Sequence, residues 1–213
     1  MAKHTHEDAQ LTRKAILDSA MRLFSRRGFE RTSLSDIAKY AGVTRGAIYW
    51  HFDDKKDLLF ELCNQVDKDL LRVEDLAGFA SSNEEKPLDK LRSWMKEHAN
   101  EKSVQFFRSS FFTMLTSIMR GSLDDEALIQ RLSELVDMRR KVFSDVLKNC
   151  VRKGQLPTNL DIQAAADSII LFNTGYINLL SVDFSDIVIK NFPTYVDAYI
   201  KSLSFITIDA THS

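Results

Sequence analysis

Cysteine is scarce in this sequence: Cys63 and Cys150 are the only two among 213 residues. They lie far apart in partly apolar, helix-like contexts, which excludes a secreted disulfide scaffold and a metal knuckle and suits a reduced, cytoplasmic protein. Helix breakers are also few, with three Pro and seven Gly, and no repeat or low-complexity tract is present. No uninterrupted apolar run approaches the roughly 20 residues of a membrane-spanning helix, so no membrane partner is expected. The opening MAKHTHEDAQLTRK is polar where a secretion signal would be apolar. The five histidines, His4, His6, His51, His98 and His212, show no ligand spacing beyond the His4-x-His6 pair. Neither a phosphate-cradling glycine loop nor a strained nucleophile turn occurs, so no catalytic residue, metal or cofactor is expected.

Charge of one sign is missing too, since the net charge is −1, which argues against a general polyanion binder. The charges are unevenly placed. Residues 1–60 hold 11 Lys and Arg against 8 Asp and Glu, and residues 61–213 hold 18 against 22. A mildly basic head on an acidic body is consistent with a polyanion partner at the N-terminal end.

What the sequence has is helical periodicity. Leu, Ala, Lys, Glu, Arg and Met recur three and four apart, which predicts an all-α fold. LTRKAILDSAMRLFSRRGFE reads as an amphipathic helix with Ile16, Ala20, Leu23 and Phe24 on one face and Gly28 as its stop. Ser33 followed by Asp36 has the form of a capping box, and Gly42 supplies a left-handed end to the short helix between them. Thr44 caps a third short helix, RGAIYWHF. DDKKDLLFEL then opens a fourth with acids in its first turn.

The spacing inside residues 33–52 carries the functional argument. Ala38 is small where two helices approach, Gly42 allows the turn, and Ile48 returns an apolar anchor to the core. A helix-turn-helix makes these demands, and its second helix lies in the DNA major groove. Ile48 and Phe52, four apart, face inward. Arg45 and Tyr49, also four apart, face elsewhere, with Trp50 and His51 beside them. Gly46 lets the backbone approach nucleic acid. The competing reading puts Tyr49 and Trp50 in a core or domain interface and leaves Arg45 and Lys55 as solvated charges.

TSLSDIAKYAGVTRGAIYWHFDDKKDLL resembles the DNA-binding signature of the TetR family of bacterial transcriptional repressors. With the leading TRKAILDSAMRLFSRRGFERTSL, it most resembles the AcrR-type repressors of multidrug efflux pumps. The match covers residues 10–62; beyond it only length and helical layout agree. The resemblance implies a homodimer with an N-terminal three-helix helix-turn-helix head, residues 1–54, on a helical ligand-binding and dimerisation bundle, residues 55–213. It implies that Arg45 reads guanine edges and that Thr44 and Gly46 lie near the DNA backbone. Tyr49, Trp50 and His51 would engage phosphates or thymine methyls, Lys55 would clamp a phosphate, and Thr32 and Ser33 would add phosphate contacts. Asp53 and Asp54 would point away from the DNA and serve the next helix start. The implied partners are a pseudopalindromic double-stranded operator and a hydrophobic or cationic effector. Repressors of lipid and other metabolic genes share the same head and respond to acyl or similar metabolites. A helical ligand-binding protein without DNA activity is the alternative outside the family.

The body carries no comparable motif. A long helix is predicted from residue 55 to about Phe79, followed by helices near 87–100, 103–120, 124–153, 160–182 and 186–206, separated at Gly121, KGQLP and SVDFSD. Trp94, Met95, Phe106, Phe111, Phe112, Met114, Phe172 and Tyr176 are candidate lining residues of an apolar pocket, with Gln105, Arg108 and Asn173 as polar selectors. The same residues suit an ordinary bundle core. DIQAAADSIILFNTGYINLL and FPTYVDAYIKSLSFI present apolar faces for a four-helix dimer interface, with Ala164, Ala165, Ala166 and Gly175 allowing close packing.

Overall fold

A computed structural model of the chain describes residues 2–69, 72, 74–109, 112–113, 116, 126–180 and 185–208. Helix α1 spans Ala2–Arg27, so it begins well before the amphipathic stretch that the sequence marks at Leu11. Ile16, Leu17, Ala20, Leu23 and Phe24, three and four apart, are all buried. Gly28 ends the helix at φ 81°.

Helix α2, Leu34–Ala41, is too short to persist alone and is fixed at both ends. Ser33 Oγ accepts from the Asp36 N–H at 3.1 Å while the Asp36 carboxylate accepts from the Ser33 N–H at 3.0 Å, which is the predicted capping box. Gly42 closes the helix at φ 70°, its N–H directed to the Ala38 and Lys39 carbonyls. A Cβ added at Gly42 meets nothing within 4 Å, so the cost of Gly42→Ala is conformational alone, about 1–2 kcal/mol for a left-handed residue. Urea denaturation is expected to show that loss, with Gly42→Asn milder.

Helix α3, Arg45–His51, starts where Thr44 Oγ1 accepts from the Ala47 N–H at 3.1 Å. It ends at Phe52, whose N–H donates to the Ile48 carbonyl at 3.0 Å. Ile37, Ala38, Ile48 and Phe52 are buried together with Phe24 and Phe29, and the three helices pack on one another. Helix α4, Lys55–Asp69, begins with Asp54 accepting from the Asp57 N–H at 2.7 Å, so Asp54 serves the helix start as expected. Leu58, Leu59 and Leu62 of α4 are buried.

The chain divides into two compact units, residues 1–67 with 109–131 and residues 68–108 with 132–213. The second holds α5 (Asp75–Ala80), α6 (Pro87–Glu97), α7 (Glu101–Phe107), most of α8 (Glu126–Arg152), α9 (Ile162–Leu180) and α10 (Ser185–Ser202), with a 3-10 turn over Leu203–Phe205. Leu91, Met95, Phe107, Val146, Leu147, Ile169, Phe192, Val196 and Leu203 are buried in it. Fully buried Asn149 donates to the Phe79 and Ser81 carbonyls at 2.9 and 2.8 Å, which satisfies two carbonyls at the end of α5. The only β-pairing among the described residues is a single antiparallel bridge, Leu160 to Thr207. No described helix is long and apolar enough to cross a membrane.

The structure corrects the predicted long helix from 55 to about 79: α4 ends at Asp69 and α5 is a separate short helix. Arg72, between them, takes φ 47°. Its carbonyl accepts the Trp94 indole N–H at 3.3 Å, and its guanidinium pairs with Asp75 at 2.5 Å and Glu97 at 2.9 Å. Tertiary partners hold this break, which no glycine or proline announces. The helix predicted over 103–120 breaks after α7 at Phe107, and residues 112, 113 and 116 beyond the break are helical again. The predicted break at Gly121, the first four residues of SVDFSD, and Phe111 and Met114 lie outside the described residues.

Candidate nucleic-acid interface

Helix α3 is two-faced. Ile48 is fully buried while Thr44, Arg45 and Gly46 are exposed. Tyr49 is 55% and Trp50 73% exposed, which takes both rings out of the core. A Cβ on Gly46 would meet only Thr44 Oγ1, at 3.9 Å, so internal packing does not require glycine there and close approach from outside remains open. The first turn of α3 and its aromatic end thus offer one guanidinium, one backbone-only position and two large amphipathic rings on an accessible surface. Such groups read base edges and phosphates.

His51 is half-buried, its ring edge-on to Trp50 at 4.6 Å. Burial first, and then the Arg13 charge, hold its pKa below the ordinary imidazole value. The folded protein therefore keeps His51 neutral where an unfolded chain takes up a proton, and stability rises with pH across that interval. Stability is expected to fall as pH drops through about 6.5, levelling off below the folded-state pKa, with His51→Gln flattening that part of the profile in urea titrations.

Ser33 is exposed at the start of α2. Two members of the sequence-derived set are placed otherwise than expected. Thr32 is 1% exposed, and its hydroxyl donates to the Gly28 carbonyl at 2.8 Å, so its side chain closes the α1–α2 turn instead of facing a phosphate. Lys55 sends its ammonium to the Phe29 carbonyl at 2.8 Å, and lies 4.2 Å from the Phe29 ring centroid. That position gives the Phe29 carbonyl, which also accepts from the Thr32 N–H at 3.2 Å, a second donor and adds a cation–π contact, and it makes Lys55 an internal strut. Neither role is visible locally, because Lys55 meets a residue 26 positions away.

Within the second compact unit, the described candidate effector residues do not gather in one site. A cleft of about 40 Å³ is lined by Trp94, His98, Arg139, Phe143, Ile170, Asn173, Thr174 and Ile177. Of the described candidates, only Trp94 and Asn173 reach it. Met95 is fully buried, and Tyr176 stacks on Phe192 with ring centroids 3.5 Å apart. Phe172 stacks on Phe192 and Tyr199. These are bundle core, and burial lifts the Tyr176 hydroxyl to about 12. Phe106 is half-buried with its ring edge-on to Phe107, Gln105 is paired with Glu101, and Arg108 is paired with Asp186 at 2.5 Å. Phe112 is buried but belongs to the other compact unit. The missed lining residues do carry a helical signal: His98 lies four from the candidate Trp94, Arg139 and Phe143 are four apart, and Ile170, Thr174 and Ile177 share one face of α9 with the candidate Asn173.

A family model for bacterial regulatory proteins of the tetR family matches residues 16–62, the stretch that builds this head. The HTH-type transcriptional regulator TtgR of Pseudomonas putida is 36% identical over 181 residues, covering 83% of each chain. The chain belongs to the TetR family. AcrR of Shigella flexneri, another HTH-type transcriptional regulator, is 35% identical over 84% of this chain and 80% of its own. Among solved structures, NalD of Pseudomonas aeruginosa, described as the secondary repressor of the MexAB-OprM multidrug efflux pump, superposes with a TM-score of 0.62. It is 26% identical and covers 95% of this chain and 99% of its own. This TetR family member is a transcriptional regulator of the AcrR-like branch, and regulators of the family bind operator DNA and small-molecule effectors and act as dimers.

Proposed function

We propose that this regulator represses a multidrug efflux operon and leaves its pseudopalindromic operator when a small hydrophobic molecule binds the body. Residues 1–54 are the DNA-binding head and residues 55–213 the ligand-binding and dimerisation body. The observation that carries the reading is α3, capped by Thr44, anchored inside by Ile48 and Phe52, with Arg45, Tyr49 and Trp50 outside. Arg45 reads guanine; Tyr49, Trp50 and His51 engage phosphates or thymine methyls; Ser33, Thr44 and Gly46 lie against the backbone. The efflux assignment is supported by the similarity to NalD.

Two copies associate through α9 and α10. Leu171 is 71% and Ile187 66% exposed, beside exposed Ala164, Gly175 and Ala198, and small residues flanking large apolar ones suit close helix packing. Ala165 and Ala166, which the sequence suggested for the same face, are fully buried within the protomer. The dimer would set its α3 helices about 34–36 Å apart, one turn of DNA.

The cleft beside Trp94 is far smaller than the roughly 300 Å³ at which drug-sized pockets begin, so effector entry must widen it. Its lining surface is mostly apolar, which favours a hydrophobic effector. Near-complete release requires the effector to prefer the DNA-free conformer by about 5 kcal/mol. The test is a fluorescence-anisotropy competition on the operator-bound protein with cationic dyes, bile acids and fatty acyl compounds. Release by a hydrophobic drug-like compound supports efflux control, and release by an acyl compound alone moves the assignment to lipid metabolism. Equal effector affinity for free and DNA-bound protein excludes ligand-driven release.

A further inference from the structure

We propose that Arg13 is a positioning residue for operator reading, acting through Phe52 and Glu61 and not through DNA. Its guanidinium makes two parallel bonds to the Glu61 carboxylate, at 3.0 and 2.9 Å. It also lies 5.2 Å from the centroid of the Phe52 ring. One side chain on α1 therefore grips α4 and the residue that ends α3.

Seven residues cannot hold a helix on their own. The direction in which α3 presents Arg45 and Tyr49 is set by what fixes its two ends, and Thr44 fixes only the first. At the second end Phe52 is buried on one side by the core and covered by Arg13. The fork of a guanidinium on a carboxylate is directional, unlike the point charge of an ammonium. With Lys55 held on the Phe29 carbonyl, the start and the second turn of α4 are both tied back to α1 and the turn that follows it. Recognition side chains work only when held within about 0.5 Å of their productive geometry, and this pair supplies that constraint from a helix that carries no base-reading role.

The inference rests on the DNA-reading head proposed above, and the test separates the two. Wild type, Arg13→Met, Arg13→Lys, Glu61→Gln and the exchanged pair Arg13→Glu with Glu61→Arg are titrated against operator and against scrambled duplex over a range of salt, with thermal midpoints recorded for each. Arg13→Met and Glu61→Gln are each expected to lose operator affinity about tenfold while keeping scrambled-duplex affinity and salt slope. Arg13→Lys is expected to fall between them and wild type, and the exchanged pair to recover part of the loss. A direct phosphate contact by Arg13 gives the opposite pattern. Glu61→Gln then binds as well as or better than wild type, and Arg13→Met lowers the salt slope by about 0.9 for each phosphate lost; that result overturns the inference. Operator affinity that changes only in proportion to the thermal midpoint overturns it as well. A folded wild type that does not distinguish operator from scrambled duplex overturns the DNA-reading head itself.

Discussion

Arg45→Ala is expected to weaken operator binding by roughly 30-fold to 10⁴-fold while leaving the fold intact. A bidentate guanidinium on a guanine edge contributes about 1–3 kcal/mol of discrimination. A dimer on two half-sites loses it twice, about 2–6 kcal/mol, and every 1.4 kcal/mol is tenfold. Arg45 is exposed on the first turn of α3, and the helix keeps its Thr44 cap and its buried Ile48 without it. The circular-dichroism spectrum and thermal midpoint of the variant are therefore expected to match those of wild type. Anisotropy titration against operator and scrambled duplexes reads the effect: the loss falls mainly on the operator, and an equal loss on both duplexes would make Arg45 a phosphate contact and not a base reader.

Phe52→Ala has the largest expected effect on stability. The ring is 2% exposed, packed in the core of the head, and covered by the Arg13 guanidinium. Truncating a buried Phe leaves a cavity and costs about 3–5 kcal/mol, a large share of the margin by which a domain is folded. Trp50→Ala, two residues away, removes a larger side chain that is mostly exposed, and is expected to change stability by less than about 0.5 kcal/mol while weakening DNA binding. Urea denaturation of the two variants side by side measures both. Similar losses would mean that α3 is rotated from its described orientation.

The features legible in the sequence were those whose cause is local. The Ser33–Asp36 capping box, the left-handed Gly42 and the Thr44 cap each involve residues three or four apart, and their chemistry is readable from residue type alone. Arg45, Tyr49 and Trp50 followed from the same register, because Ile48 and Phe52 take the inward face and leave them the other. What was not legible depends on partners distant in the chain. Lys55 looked like a phosphate clamp until Phe29 stood beside it, and the break at Arg72 is held by Glu97 and Trp94, 25 and 22 residues away. Phe172 and Tyr176 looked like pocket lining because aromatic side chains suit pockets and cores equally. Their stacking on Phe192 and Tyr199 is a tertiary fact that periodicity does not encode.

Titration of the purified dimer against duplexes tiled across the DNA flanking its own gene, repeated over a range of salt, tests operator recognition most directly. One pseudopalindromic segment is expected to bind with nanomolar affinity, at least 10³-fold tighter than scrambled sequence, and to weaken steeply as salt rises. A folded dimer that binds every segment no better than scrambled duplex would contradict a DNA-reading head and leave α2 and α3 as a bundle corner.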